Sequence, residues 1–504
     1  MLDLDHQLRE FGSFVDEAVK PVRVAEITGR PTIPVARVWR RHLALAGAAA
    51  AVVMLIIAAV VIFNPFGSEA PFIEDPTTIP TTTTIASPTT EASETTVAPS
   101  TTQALTSPPP SISWTRIDAP EVFGGPFHET MTAVASGPSG LIAVGPDWVE
   151  PASTDAALWT STDGIVWSRF SDDQAVFGGA GFQYPTAIAV GSENIVISGY
   201  DCADDVNWAQ GCRGAIWASD HTIAWQRVGT DGDVFEGEGI VRVLDVIATE
   251  NGFVAVGSAV WTSSDGRSWE RVFDLEPTTG DNSPGEVMWS IVQTGDGYVA
   301  AGQRGFQAAV WTSSDGQAWS AVEDEGQFGP PLVPNEQVST EFSFWRINDL
   351  LDSGEAILGM GSGTGAQPDS PIVWRSTDGA DWEQIVIDRF SAHRSETMNT
   401  VIRTDEDWIL AAGTHNAVRH EHSAILLWVS NDNGKTWSVL PTEGDVLGNY
   451  LSDLYRSDVL DMILWNDRIV MVGSRGTGRV EVSDIENLVH ATWDAAVWIG
   501  TVEE

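Results

Sequence analysis

The chain has 504 residues, with 26 Lys and Arg against 70 Asp and Glu, a formal net charge of −44. A surface of that sign repels phosphate backbones and anionic lipid, which excludes nucleic acid as a partner class. It attracts cations or basic partners, or it serves solubility alone. Residues 1–42 are near neutral, and only Lys20 and Lys435 are Lys while Arg is common, the composition of a GC-rich, actinobacterial-type genome. In that first stretch Leu4, Leu8, Phe11, Phe14, Val15 and Val19 fall on one helical stripe. A lone helix of this length is marginal unless it docks, so a solvated tail and a partner-binding helix both fit.

Residues Leu43 to Phe63 are 21 consecutive uncharged, mostly apolar positions, about 31 Å long as a helix. Arg37, Arg40 and Arg41 precede the run, and Glu69, Glu74 and Asp75 follow it. The expectation is an uncleaved single-pass anchor in a cell membrane, with residues 1–42 cytoplasmic and everything after it extracytoplasmic. Residues 64–112 read as a stalk. From Pro76 to Ile112, 25 of 37 residues are Thr, Pro or Ser, a composition that buries no core and stiffens toward polyproline II.

From residue 113 onward one phrase recurs: an apolar residue, Trp, a Ser/Asp/Gly turn, then a second Trp. It is Leu158-Trp159 through Asp163-Gly164 to Trp167, and again Val260-Trp261 through Asp265-Gly266 to Trp269. Further copies carry Trp311, Asp315 and Trp319; Trp374, Asp378 and Trp382; Trp428, Asp432 and Trp437. A decayed copy runs from Trp217 to Trp225, and a truncated one stops at Val497-Trp498. The first Trp of each copy recurs every 44 to 70 residues, the size of a four-stranded propeller blade. Upstream of each lie two period-2 runs such as Ile240–Val246 and Phe253–Gly257, as paired strands require. The expected fold is all-β, a seven-bladed propeller over residues 113–504. Ser113-Trp114-Thr115-Arg116-Ile117 matches the outer strands that begin at Trp167 and Trp225, so it is expected to complete the blade of Trp498 and close the ring.

Ser430-Asn431-Asp432-Asn433-Gly434-Lys435-Thr436-Trp437 resembles the Asp-box, or BNR repeat, of sialidase-like propellers residue for residue. The resemblance implies a structural role for Asp163, Asp265, Asp315, Asp378 and Asp432 at the blade periphery. There Asp accepts backbone N–H groups and Gly supplies a positive φ. In blade count the chain is similar to seven-bladed, non-catalytic members such as Ycf48-type assembly factors. A sialidase-like glycoside hydrolase is the alternative, and it would need an Arg triad, a Tyr/Glu nucleophile pair and an acid/base Asp. Arg116, Arg169, Arg227 and Arg271 fall at repeat positions and read as outer-strand surface residues. The Phe-Arg-Ile-Pro signature of sialidases is absent, and none of the five Tyr has a nucleophile context.

Cys202 and Cys212 share one insertion and read as a disulfide closing it. His415, His420 and His422 are loosely spaced for a metal, and a polar loop fits them better; Asp201, Asp204 and Asp205 lack a Ca²⁺-loop register. No cofactor is expected. The long segments at 146–155, 200–214, 323–341, 416–423, 441–458 and 474–494 read as loops that either carry recognition or are merely tolerated. They hold Arg456, Arg475, Arg479, Tyr450 and Tyr455, residue types of interface hot spots. The expected function is a membrane-tethered, monomeric binding module for an extracellular protein, peptide or glycan, and not an enzyme.

Overall fold

The structure is a computed structural model. It describes residues 109–503 apart from 126, 151–152, 171–174, 203–210, 221–223, 230–232, 278–284, 325, 330–343, 365–369, 388–394, 417–422, 441–445, 449–456 and 483–488, and apart from the side chains of 150, 364, 370, 386, 416 and 477–492. The tail, the apolar run 43–63 and the stalk up to residue 108 therefore lie outside the described residues. Among the described residues no helix is long and apolar enough to cross a membrane.

From Ile112 the described chain is almost all strand. The unit of Trp261 shows the plan. Its strands Val243–Thr249, Gly252–Gly257, Ala259–Ser263 and Glu270–Asp274 pair antiparallel in sequence order. The first three are joined by tight connections and the last two by the Asp-box turn. Five sheets have four strands each, and a sixth has eight. The eight-stranded sheet comprises two such meanders, those of Trp159 and Trp217, linked by one parallel bridge from Thr154 to Phe182. First strands of successive units lie side by side, and the first strand after residue 132 also neighbours the one that begins at Ser457. The fold is an all-β propeller.

The sheet of Trp498 is assembled from both ends of the described chain. Its strands Ser457–Trp465, Arg468–Val482 and Val489–Val502 accept Ile112–Ile117 as a fourth, with Trp114 opposite Gly500 and Arg116 opposite Trp498. That pairing removes an open edge from a ring that would otherwise present one.

The core lies between sheets. Each apolar cluster is shared by two neighbouring units: Leu158, Ile197 and Trp217 bind the first two, Ile425, Met471 and Trp498 the last two. One further cluster, with Trp159, Val470 and Val497, joins the last unit to the first. Trp159, Trp217, Trp261, Trp311, Trp374, Trp428 and Trp498 are all fully buried, each removing a large apolar area from water. Five of these indoles also latch the segment that leads into their own unit. Nε1 of Trp159, Trp217, Trp261, Trp374 and Trp498 donates to the carbonyl of Val122, Val176, Val234, Gln327 and Val446 at 2.7–3.2 Å. The next residue in each case, Phe123, Phe177, Phe235, Phe328 or Leu447, is buried. The recurrent Val-Phe phrase is thus a latch. Among the described residues the N–H groups of Trp311 and Trp428 find no acceptor.

Candidate binding site at the channel mouth

Each unit's first strand runs from one face of the ring to the other. One face carries the turns between first and second strands together with the Asp-box turns. The opposite, mouth face carries the remaining connections. Midway along, six of these innermost strands bulge, at Thr186, Leu244, Trp289, Asn348, Asn399 and Leu460. A bulge re-aims side chains, and here it sends them to the next unit. Thr132 Oγ1 donates to Pro185 O, Thr186 Oγ1 to Val243 O, Asn348 Nδ2 to Met398 O, and Asn399 Nδ2 to Val459 O. The residue after the bulge completes the girdle by accepting. Asp245 takes the N–H of Ile291, Ser290 that of Leu350, Asp349 that of Val401, and Asp461 that of Val134. Every boundary between neighbouring units is stitched near the axis.

Three of those stitches are carboxylates inside the body of the ring, although the residues keep some exposure toward the axis. Burial pushes Asp245 and Asp461 up to about 7 and Asp349 up to about 6, against the lowering pull of the backbone N–H groups they accept. Mutual repulsion adds to the rise at Asp245 and Asp461. Their oxygens already receive backbone N–H groups, so they stitch units and do not present an open acid.

Three residues before the bulge, and at the equivalent place ahead of the first unit's inner strand, a buried polar residue faces a partner on the second strand. Glu129 faces Asp147, Gln183 faces Asp201, and Glu396 faces His415. Arg169 joins both Glu129, at 2.7 Å, and Asp147, while its guanidinium lies 5.7 Å from the Trp159 ring. In the next unit Asp201 receives Gln183, Arg213 and Arg227, and Arg227 lies 5.5 Å over Trp217. Arg169, Arg227 and Arg271 are therefore not outer-strand surface residues. Each lies back on its unit's Trp, and the first two are fixed by carboxylates from the second strand. Burial outweighs Arg169 at Glu129 and raises its carboxyl to about 8. Fully enclosed, Glu129 has no path to a sugar.

Two residues before the bulge, positions are partly exposed and lie toward the mouth face. Here sit Tyr184, Arg242 and Arg346. Tyr184 stacks on Tyr200 with centroids 5.1 Å apart and planes 12° from parallel, and Arg242 lies 5.1 Å over Tyr200. Arg346 lies 5.1 Å over Trp289, the bulge residue of the preceding unit. Burial raises both Tyr hydroxyls, and the neighbouring ring adds to this at Tyr200. Among the described residues Arg242 makes no ion pair, and its Nε has no acceptor. In a chain so rich in carboxylates, Arg242, set on the Tyr200 ring at the channel mouth and without an acid among the described residues, is a place for a planar or anionic group.

The structure places the residues named from sequence differently. Tyr450, Tyr455, Arg456, His420 and His422 lie outside the described residues, as does the side chain of Arg479. Arg475 belongs to a strand, opposite Ser457 and Asp494. The expected loops 146–155 and 474–494 are, in their described residues, extensions of paired strands, and the described ends of 200–214 pair as Tyr200–Cys202 with Cys212–Gly214. His415 is buried, with Nδ1 3.1 Å from Glu396 Oε1, so it belongs to a pair between strands and not to an exposed loop. Asp201 is taken by arginines, and among the described residues no cluster of His, Cys, Asp or Glu is arranged to hold a metal ion. Cys202 and Cys212 form a disulfide across the paired ends of two strands.

The Asp-box residues do face the turn side. Asp163 Oδ1 accepts the N–H groups of Ile165 and Val166, Ser161 Oγ accepts that of Gly164 (φ +75°), and Trp167 Nε1 donates to Gly164 O. Asp265, Asp315, Asp378 and Asp432 make the same kind of bonds.

No protein-family model matches the chain, and no curated protein matches it in sequence. Among solved structures it is similar to YCF48 bound to D1 peptide, at 12% identity and a TM-score of 0.44, over 80% of this chain and 97% of that one. It is also similar to a mutant of Trypanosoma rangeli sialidase displaying trans-sialidase activity, at 12% identity and a TM-score of 0.39, over 74% of this chain and 54% of that one. A third likeness is to the α-L-arabinanase of Penicillium chrysogenum complexed with arabinobiose, at 14% identity and a TM-score of 0.38, over 77% of this chain and 98% of that one. All three are likenesses of fold. The class of protein is a β-propeller.

Proposed function

We propose that residues 113–504 form a seven-bladed propeller, the eight-stranded sheet counting as two blades, held outside the cell on a stalk and an anchor at residues 43–63. In this reading the propeller is a binding module, and its ligand, a protein, peptide or glycan, enters at the channel mouth. The carrying observation is the pair of guanidinium-on-aromatic stacks there, Arg242 on Tyr200 and Arg346 on Trp289. Rigid rings of this kind present contact area at small entropic cost, and Arg adds directional donors. Hydrolysis is not favoured, because Glu129 is enclosed and the axial aspartates are occupied by backbone N–H groups.

The test is to screen the purified full-length chain against a glycan array and a displayed peptide library. Selected ligands should lose at least tenfold in affinity to the Arg242→Ala/Arg346→Ala protein, with the melting temperature nearly unchanged. Ligands that bind wild type and double variant alike would remove the mouth from consideration. Turnover of a fluorogenic sialoside by the wild type would replace the binding reading with the enzymatic one.

A further inference from the structure

On the turn face the Asp-box turns of four units lie over the unit before them. The turn glycine rests against one residue of the preceding second strand: Gly266 on Val196, Gly316 on Val254, Gly379 on Val299 and Gly434 on Leu358. In register, each of those residues immediately precedes the cross-strand partner of its unit's Trp. Side chains cross the same boundary. Asn433 Nδ2 reaches Glu355 at 2.5 Å, and Arg267 reaches Asn194 at 3.1 Å and Asp220 at 2.5 Å.

In the unit of Trp428 the corresponding residue is Leu410. Leu410 is itself buried, in a cluster that Ile112 and Trp114 pack against, and the turn that would lie above it belongs to the unit of Trp498, whose third strand ends at Val502 and whose fourth begins at Ile112. Those strands come from opposite ends of the described chain, so no Asp-box turn joins them. A cleft of about 310 Å³ stands at that place. Its apolar wall includes Ile112, Trp408 and Leu464, and its rim carries Asp405, Glu406 and Asp467. Among the described residues no Lys or Arg lines it. Among the described residues none of the three rim acids makes an ion pair.

We propose that this cleft is a second binding seat, taking the cationic side chain of an arginine or lysine in a partner peptide. An apolar wall suits the methylene stem of such a side chain, and the acid rim suits its head. At the covered boundary between the units of Trp217 and Trp261 an arginine, Arg267, already crosses from one unit to an acid of the other, Asp220. The seat lies on the face opposite the channel mouth, so it does not depend on the mouth being a binding site.

The test is calorimetric titration of the full-length protein, at low salt, with acetyl-Leu-Arg-Leu-amide and with the same peptide carrying norleucine for Arg. The arginine peptide is expected to bind at least tenfold more tightly. Asp405→Asn/Glu406→Gln/Asp467→Asn should abolish that preference, and Leu464→Arg, which supplies a guanidinium from the cleft itself, should weaken the arginine peptide tenfold or more. Arg242→Ala/Arg346→Ala should leave it unchanged, which separates this seat from the mouth. Equal affinity for the two peptides, a preference that survives the triple substitution, or no heat from either peptide at millimolar concentration would each overturn the proposal.

Discussion

The two faces of the ring are built on opposite rules. On the turn face one phrase is used again and again, with the same Ser, Asp, Gly and Trp making the same bonds in unit after unit. On the mouth face equivalent register positions carry Thr130, Tyr184, Arg242, Val287, Arg346, Thr397 and Asp458, no two of them forming a run. Repetition marks what every unit needs in order to fold. Variation at equivalent positions marks where the units are released to differ, and on a rigid scaffold that is where recognition is placed. Aspartate shows the contrast within one residue type. Backbone N–H groups at the turn hold Asp163, Asp315 and Asp378 below the ordinary carboxylate range, whereas enclosure lifts Asp245, Asp349 and Asp461 above it.

The largest expected effect comes from breaking the one unit that departs from the repeat. Deleting residues 109–128 from the full chain removes Ile112–Ile117 and exposes Val489–Val502 as an edge. It also removes the Val122 latch and buried Phe123. The shortened protein should aggregate or lose cooperative unfolding by circular dichroism. A melting curve that overlays the wild type would show that the closing strand adds nothing.

A smaller effect separates latched from unlatched tryptophans. Trp261→Phe and Trp311→Phe remove the same volume from equally buried sites, each with an arginine stacked on the ring at 5.7 or 5.9 Å. Only Trp261 has an acceptor, Val234 O at 2.8 Å. Its replacement should therefore cost about 1 kcal/mol more in urea unfolding, the net worth of a hydrogen bond whose buried acceptor is left unmade. Equal midpoints for the two variants would reduce the latch to a coincidence of packing.

The contrast between faces also explains what could be read in the sequence. The fold was legible because Trp and the Ser-x-Asp-Gly turn, lengthened by one residue at Asp432-Asn433-Gly434, recur at the spacing of a four-stranded unit. The pairing of Ile112–Ile117 was legible because Ser113–Ile117 repeats the phrases at Trp167 and Trp225. Arg169 and Arg227 were misread as surface, since alternation along an outer strand does not show that a long guanidinium lies back over a Trp. His415 was misread because its partner Glu396 sits on another strand, 19 residues away. The mouth residues left no pattern at all. Arg242 and Arg346 become equivalent only once the bulges fix the register, and a bulge has no composition of its own here: Thr, Leu, Trp and Asn all occupy it. Segments 146–155 and 474–494 misled for a related reason, because paired strands that extend past the core carry polar residues on both sides and resemble loops.

The finest test uses the two populations of aspartate through pH. Asp245 and Asp461 move from 3.8 to about 7 on folding, Asp349 from 3.8 to about 6, and Glu129 from 4.5 to about 8. In each the folded state holds its proton where the unfolded chain has lost it. The stability these groups contribute is thus full below about pH 4 and is lost as pH rises toward 8. The Asp-box carboxylates act in the opposite sense: their contribution is present above about pH 4 and is lost as pH falls through their lowered range. For Asp265 burial works against the shift, and the N–H groups of Ser268 and Arg267 still prevail. The melting temperature should therefore be highest near pH 4 to 5 and fall steadily toward pH 8. Self-repulsion of a chain with a net charge of −44 drives it the same way. The two causes separate by substitution. Asp461→Asn keeps an acceptor for Val134 N–H and removes one enclosed charge, so it should flatten the slope between pH 5 and 8, by roughly a degree or two at the alkaline end. Removing an exposed charge from the rim, as in Glu406→Gln, should leave the slope as it is. If both variants change the slope equally, the fall belongs to overall charge and the axial aspartates are ordinary carboxylates.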